Sequence, residues 1–215
     1  MLKDLAIRTV TSSRWRGSNA RLASSLERFA DVEADSGWQM LRALDATSDP
    51  EFRTKLFNNA VEEMHHAELF RSVASELAPF PLPAARERRR EIFTPKRGLP
   101  WFAAYHFTGE NDVFHQFSAY ADAAPPNSAL RHTFLQIRGD EAQHRELAYR
   151  ELCRLAASEA KAKALIRRVK GRRIFETWKR FGEHTVALFS SIILNVIYFI
   201  AGPLLASSAR RHFQR

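Results

Sequence analysis

Glu33, Glu63 with His66, Glu110, and Glu141 with His144 are the residues of this chain best suited to chemistry. Carboxylates and imidazoles are ligands for divalent transition metals. In a Glu-x-x-His pair on a helix, the two side chains lie on one face, a turn apart. Two such pairs and two single glutamates make a six-ligand set for two cations, whose charge four carboxylates balance. The chemistry on offer is that of a dimetal centre, with Glu33, Glu63, Glu110 and Glu141 as its candidate catalytic carboxylates. A single Glu-x-x-His match means little in a protein with 8 histidines. Glu62 and His65 also match, but they share a helical face with Asn58, Glu68 and Ser72 and are read as solvated. The weight lies in the whole set: one acidic residue in the middle of each of four apolar stripes. A bare carboxylate there is costly to bury, and bound metal is the simplest compensation.

Four helices must carry these residues. The first spans about 21–46, with Leu22, Leu26, Phe29, Glu33, Gly37, Met40 and Leu44 on one face. Asp49-Pro50 opens the second as N-cap and first position, and its stripe runs Leu56, Ala60, Glu63, Ala67, Phe70, Ala74, Leu77. Residues 79–100 are rich in proline and contain Arg86-Glu87-Arg88-Arg89-Arg90, a basic crossover. A third helix runs from about Pro100 to Ala123 with Ala103, Phe107, Glu110, Phe114, Phe117 and Ala121 inward. After the break at Pro125-Pro126-Asn127-Ser128, a fourth extends to about Ala157 with Leu130, Phe134, Ile137, Glu141, His144, Ala148 and Leu152 inward. No useful segment has the two-residue period of a strand. The expected fold is all-α: a lead-in over 1–20, then a four-helix bundle over 21–157 with a long crossover between its second and third helices. The two halves echo each other, each a Glu helix followed by a Glu-x-x-His helix.

The net charge of +9 favours phosphate-bearing partners, whether nucleic acid or an anionic membrane surface. Cys153 is the one cysteine, which excludes an internal disulfide and fits a reducing compartment. No secretory signal is evident at the N-terminus. Residues 158–184 read as a basic amphipathic helix with Arg167, Arg168, Lys170, Arg172, Arg173, Lys179 and Arg180. Thr185 to Ser208 carries no charged residue, and 209–215 form a basic tail. As a helix, 185–208 is long enough for a bilayer core of about 30 Å. The expectation is a membrane-associated helix, spanning or embedded, that anchors the protein by its C-terminal end on the cytoplasmic side of the inner or plasma membrane. Asn195 and Gly202-Pro203 count against a straight span. The alternatives are burial in a homodimer and a lid packed on the bundle.

Glu63-Met64-His65-His66-Ala67 and Asp140-Glu141-Ala142-Gln143-His144, each about 30 residues after a stripe glutamate, resemble the ferritin-like diiron-carboxylate superfamily. Within it, length and spacing are similar to rubrerythrin-type domains and demethoxyubiquinone hydroxylases, over roughly residues 21–157. The resemblance implies two Fe ions, with a mixed Mn/Fe pair as the variant, held by Glu33, Glu63, His66, Glu110, Glu141 and His144. It implies dioxygen or peroxide as co-reactant, and Asp140 as a carboxylate behind a ligand imidazole. Ligand type points the same way, since zinc prefers fewer and softer donors. No Cys-x-x-Cys pair is present, so the rubredoxin-like centre of full rubrerythrins is absent. The leading expectation is a non-haem diiron oxidoreductase of monooxygenase type. It would hydroxylate or desaturate an apolar or lipid-phase substrate, with electrons from a separate donor. A ferroxidase or peroxidase is the alternative. A tRNA-modifying diiron hydroxylase ranks third, because it gives the apolar tail no role; nucleic acid is accordingly not an expected partner. Around the site, Phe29, Phe70, Phe107, Phe114, Phe117 and Phe134 suggest a dry lining, and Gly37 either a gap or a close helix contact. Tyr105 and Tyr149 are redox candidates that more simply pack. His106 and His115 read as surface residues or as supports behind the ligands.

Overall fold

Capping residues set the helix boundaries in the computed structural model, which describes residues 18–78, 92–94 and 96–196. Helix α1 (Asn19–Leu44) starts at Ser18, whose hydroxyl accepts from the Arg21 N–H at 3.3 Å. Helix α2 (Pro50–Leu77) starts at Asp49, whose carboxylate accepts from the N–H groups of Glu51 and Phe52. Pro50 occupies the first turn, where a missing N–H costs nothing. Helix α3 (Gly98–Ala123) has no side-chain cap; Gly98 turns into it at φ 70°, a conformation glycine adopts without strain. Ser128 caps α4 (Ala129–Leu155) by accepting from the Arg131 N–H. The last helix is α5 (Glu159–Val196). All regular structure among the described residues is helical, as expected.

The first four helices form a bundle of two packed pairs. Phe29 meets Phe70, and the Arg53 guanidinium donates to the Leu44 carbonyl, so α1 and α2 run antiparallel. Phe117 meets Phe134 while Phe107 meets Tyr149, which makes α3 and α4 antiparallel too. Lys55–Glu151 and His66–Asp140 join α2 to α4, again in opposite directions. The crossover between α2 and α3 falls largely on 79–91, outside the described residues. Where the backbone is described again, Gln39 accepts from the N–H of Ile92 and tucks Phe93 onto Met40 and Phe102.

Two apolar layers enclose the middle of the bundle. One is built on Leu26, Ala30, Phe70, Phe117, Phe134 and Ile137, the other on Met40, Ala43, Phe52, Leu56, Ala60 and Phe102. Each fully buried large apolar side chain contributes about 1.5–3 kcal/mol. In sequence the acidic stripe positions lie between the layers, so the apolar flanks hold them at one height. Phe107 and Phe114 depart from the expected lining. They are only partly buried: Phe107 lies against Tyr149, and Phe114 lies under the Arg145 guanidinium. Gly37 serves close approach rather than a gap, since a Cβ there would stand 2.9 Å from the Ala60 carbonyl oxygen.

The molecule divides into two compact units, 1–169 and 170–215. In the first, Ala162 and Val169 of α5 are buried with Ala103, Ala104 and Leu152. In the second, Ile174, Phe175 and Trp178 are exposed, and Arg172 pairs with Glu176 at 2.7 Å. The helix continues unbroken through the expected boundary at 184/185. Among the described residues no helix is long and apolar enough to cross a membrane. This overturns the expectation of a protein anchored or embedded by its C-terminal end on the cytoplasmic side of a membrane. Helix α5 carries charges up to Glu183, and only Thr185 to Val196 of the uncharged stretch is described. Residues 197–208 of that expected helix, the 209–215 tail and most of the lead-in lie outside the described residues.

Candidate metal centre

All six candidate ligands come together. Glu33 enters from α1, Glu63 and His66 from α2, Glu110 from α3, and Glu141 and His144 from α4. All are buried, with Glu63, His66 and Glu141 at most 1% exposed. They form two overlapping groups: Glu33, Glu63, His66 and Glu141, and Glu63, Glu110, Glu141 and His144. Within each group the donor atoms lie within 4.8 Å of one another, and either group could hold a metal ion. Glu63 and Glu141 belong to both, so the two carboxylates of the Glu-x-x-His pairs stand between the two positions.

The imidazoles are aimed by carboxylates behind them. His66 Nε2 lies 3.1 Å from Asp140 Oδ2, and His144 Nε2 is hydrogen-bonded to Glu62. With Nε2 facing the carboxylate outside, each ring turns its Nδ1 inward. His66 Nδ1 is then 3.4 Å from Glu141, and His144 Nδ1 is 3.8 Å from both Glu63 and Glu141. The two bonds cross over: the residue before each ligand glutamate serves the histidine of the other helix. Asp140 fills the expected supporting role. Glu62 is solvent-exposed as read, and in addition bonds His144 across to the other helix. Its equivalence to Asp140, one residue before the Glu of its own Glu-x-x-His, was the signal that could have identified it.

The donor set fits a metal. Both oxygens of Glu63, both of Glu141, and Nδ1 of His66 and His144 are buried without a hydrogen-bond partner among the described residues. Such a cluster of orphaned polar atoms is rare in native proteins and costly unless something compensates it. Without a cation, protons must do so. Burial, and then the nearby Glu141, push Glu33 up to about 7. Burial with Glu110 and Glu33 pushes Glu63 well above the carboxylate range, and burial with Glu141 does the same to Glu110. Burial acts on Glu141 too, but the closeness of Glu110, His144 and His66 outweighs it and holds this carboxyl well below the usual range. Burial opposes the charge on His144, yet Glu141 and Glu62 prevail and raise it to about 9; His66 is raised likewise by Glu141 and Asp140. Three carboxyls are thus pushed toward their protonated forms around one held low, as expected where buried acid has no cation beside it.

Of the two places expected for His106, surface or behind the ligands, the structure shows the inner one. Its Nδ1 lies 2.9 Å from Glu110 Oε1, and its ring stacks on Phe102 at 7°. Burial, and then His144, lower it to about 4, so it is neutral. His115 packs edge-on to Phe114, and the Tyr149 hydroxyl lies 3.3 Å from Glu159, neither at a ligand. Tyr105 packs in the cluster around Leu152. On the outer side of α2 and α4 a polar cleft of about 270 Å³ reaches His144, lined by Glu62, Asp140, Asn58, Asn59 and Gln143. Compared with known proteins, the sequence matches no family model, no curated sequence and no solved structure.

Proposed function

We propose that the protein is a ferritin-like diiron oxidoreductase that activates dioxygen to hydroxylate or desaturate an apolar substrate. The observation that carries this reading is the pair of four-residue groups overlapping at Glu63 and Glu141, buried in the middle of the bundle. Helix directions support the ferritin-like topology. Helix α2 is antiparallel to α4, and α4 to α3, so α2 and α3 point the same way, and their connection has to run the length of the bundle. Two Fe(II) ions, or a Mn/Fe pair, fit four carboxylates and two imidazoles in charge and donor type, and would supply the electrons that reduce dioxygen.

The protein's own groups have defined tasks in this reading. Glu33 with His66 and Glu110 with His144 would hold the ends of the centre, and Glu63 and Glu141 its middle. Asp140 and Glu62 fix the ring orientation of the histidines. The Phe70–Phe117–Phe134 layer excludes water from one side, which protects reactive oxygen species from quenching. The reading predicts iron-dependent oxygen consumption with an apolar substrate and a reductant. Iron binding unchanged in Glu63→Ala and Glu141→Ala would remove its basis. A second reading, Fe(II) oxidation or peroxide reduction, is favoured by the polar cleft that reaches His144, since it suits small hydrophilic reactants. Turnover with Fe(II) or peroxide and no organic substrate selects it.

A further inference from the structure

Helices α2 and α4 are tied together by side chains at three levels: Lys55 with Glu151 at 2.7 Å, Glu62 with His144, and His66 with Asp140 at 3.1 Å. Beside these ties opens the polar cleft of about 270 Å³. Other approaches to the centre are covered. Apolar layers built on Phe70 and Phe134 and on Met40 and Phe102 flank it along the bundle. Toward α1, Gly37 lies close against the Ala60 carbonyl.

The cleft is electrically uneven. Near the ligands stand Glu62 and Asp140, whose side chains are 55% and 43% exposed, while the imidazoles they bond are at most 3% exposed. About two turns back along α2 and three turns on along α4 stand Lys55 and Arg150. Glu51 and Glu151 match Lys55 at 2.5 and 2.7 Å, and Glu146 lies 3.9 Å from Arg150. His144 lines the cleft from inside, and its Nδ1 has no hydrogen-bond partner among the described residues. Glu63 and Glu141, 3.8 Å from that Nδ1, have both oxygens unpartnered in the same sense.

A protein of net charge +9 repels divalent cations at long range. Salt cuts that range to about 8–10 Å, so inside the cleft the local carboxylates decide. They draw a cation away from the Lys55 end and toward the buried donors.

Building on the dimetal reading, and on neither reaction in particular, we propose that this cleft is the route by which divalent cations load the centre, with Glu62 and Asp140 as the carboxylates that receive them first. Each of the two stands one position before a ligand glutamate and bonds the histidine of the opposite helix. A cation received by Glu62 has only the His144 ring between it and the inner carboxylates.

The test is the rate of Co(II) uptake by metal-free full-length protein, followed by stopped flow. Release into excess EDTA and equilibrium affinity are measured alongside, and folding is checked by circular dichroism. Charge is changed at Asn58, an exposed residue of the cleft wall outside the ligand set. In Asn58→Lys uptake and release both slow by about three- to tenfold; in Asn58→Asp both quicken by a similar factor. Affinity stays within about twofold in each, because a charge in the passage acts on the barrier and not on the bound ions. The effects shrink at about 1 M salt, where screening acts within about 3 Å. Ser72→Lys, the same change of charge at an exposed position of α2 outside the cleft, keeps wild-type rates. Rates unmoved in both Asn58 variants, or moved equally by Ser72→Lys, overturn the inference while the dimetal reading stands. So does a change of affinity with release unmoved, since the charge would then act on the bound ions. If wild type takes up no Co(II), the dimetal reading itself fails and the inference with it.

Discussion

The α1–α2 half and the α3–α4 half carry the same ligand pattern in different surroundings. Around Glu33 the helices touch closely: Gly37, one turn on, brings α1 against the Ala60 carbonyl of α2. In the other half, Gly109 and Gly139 serve no such contact: nothing lies within 4 Å of where a Cβ would sit. Phe29 precedes Glu33 where His106 precedes Glu110. The supports behind the histidines are carboxylates in both halves but differ in length, Glu62 in one and Asp140 in the other. Six positions agree because all of them converge on the same interior charge. Their neighbours differ because helix packing and bracing can each be solved in several ways. The comparison separates what a metal requires from what a bundle merely tolerates.

The largest expected effect tests the shared positions. Glu63→Ala or Glu141→Ala should abolish binding of both ions, since each residue belongs to both groups. Glu33→Ala or Glu110→Ala should leave one ion of the two. Metal analysis after gel filtration distinguishes the cases, and equal losses in all four variants would erase the distinction between middle and end ligands.

Acidity gives the next effect. Glu33, Glu63 and Glu110 are raised above their unfolded values, so their contribution to folding is fully present below about 4.5 and is lost as pH rises through the folded values, about 7 for Glu33. His144, raised to about 9, acts in the same sense from 6.5 upward. His106, lowered to about 4, and Glu141, held low, act in the opposite sense at the acid end. The metal-free protein should therefore lose melting temperature between about pH 5 and 8, and the metal-loaded protein should not. Parallel curves for the two forms would mean that the carboxyls do not exchange protons for cations.

Smaller again are the supports. Asp140→Asn and Glu62→Gln should each weaken metal binding by about 10–100-fold, and Asp140→Asn should act through the ion on His66. Smallest are the glycines. Gly37→Ala forces a methyl against a backbone oxygen and should cost about 1–3 kcal/mol, whereas Gly109→Ala should be neutral or stabilise by up to about 1 kcal/mol. Thermal unfolding of the two variants tells the glycine that serves a helix contact from the one that does not.

The ligands were legible in sequence because a buried carboxylate violates an apolar stripe, and a violation repeated on four helices is hard to produce without a cause. The cap at Asp49 was legible for a local reason, since its carboxylate bonds the N–H groups two and three residues ahead. Glu62 was not, because helical phase measures direction from one axis and not reach across to a neighbour; a glutamate on the rim of α2 can still bond His144 on α4. Phe107 and Phe114 erred in the other direction, being apolar but turned toward Tyr149 and Arg145. The 185–208 segment stands out in sequence by its lack of charge, but its first part, Thr185 to Val196, continues helix α5, and among the described residues no helix is long and apolar enough to cross a membrane.

The central claim is that buried acid in this bundle is held for a pair of cations. Metal content of the full-length protein, purified without chelator and reconstituted anaerobically with Fe(II), tests it most directly. The account predicts two iron ions per molecule, both lost in Glu141→Ala. A folded wild-type protein that retains no divalent metal would contradict it.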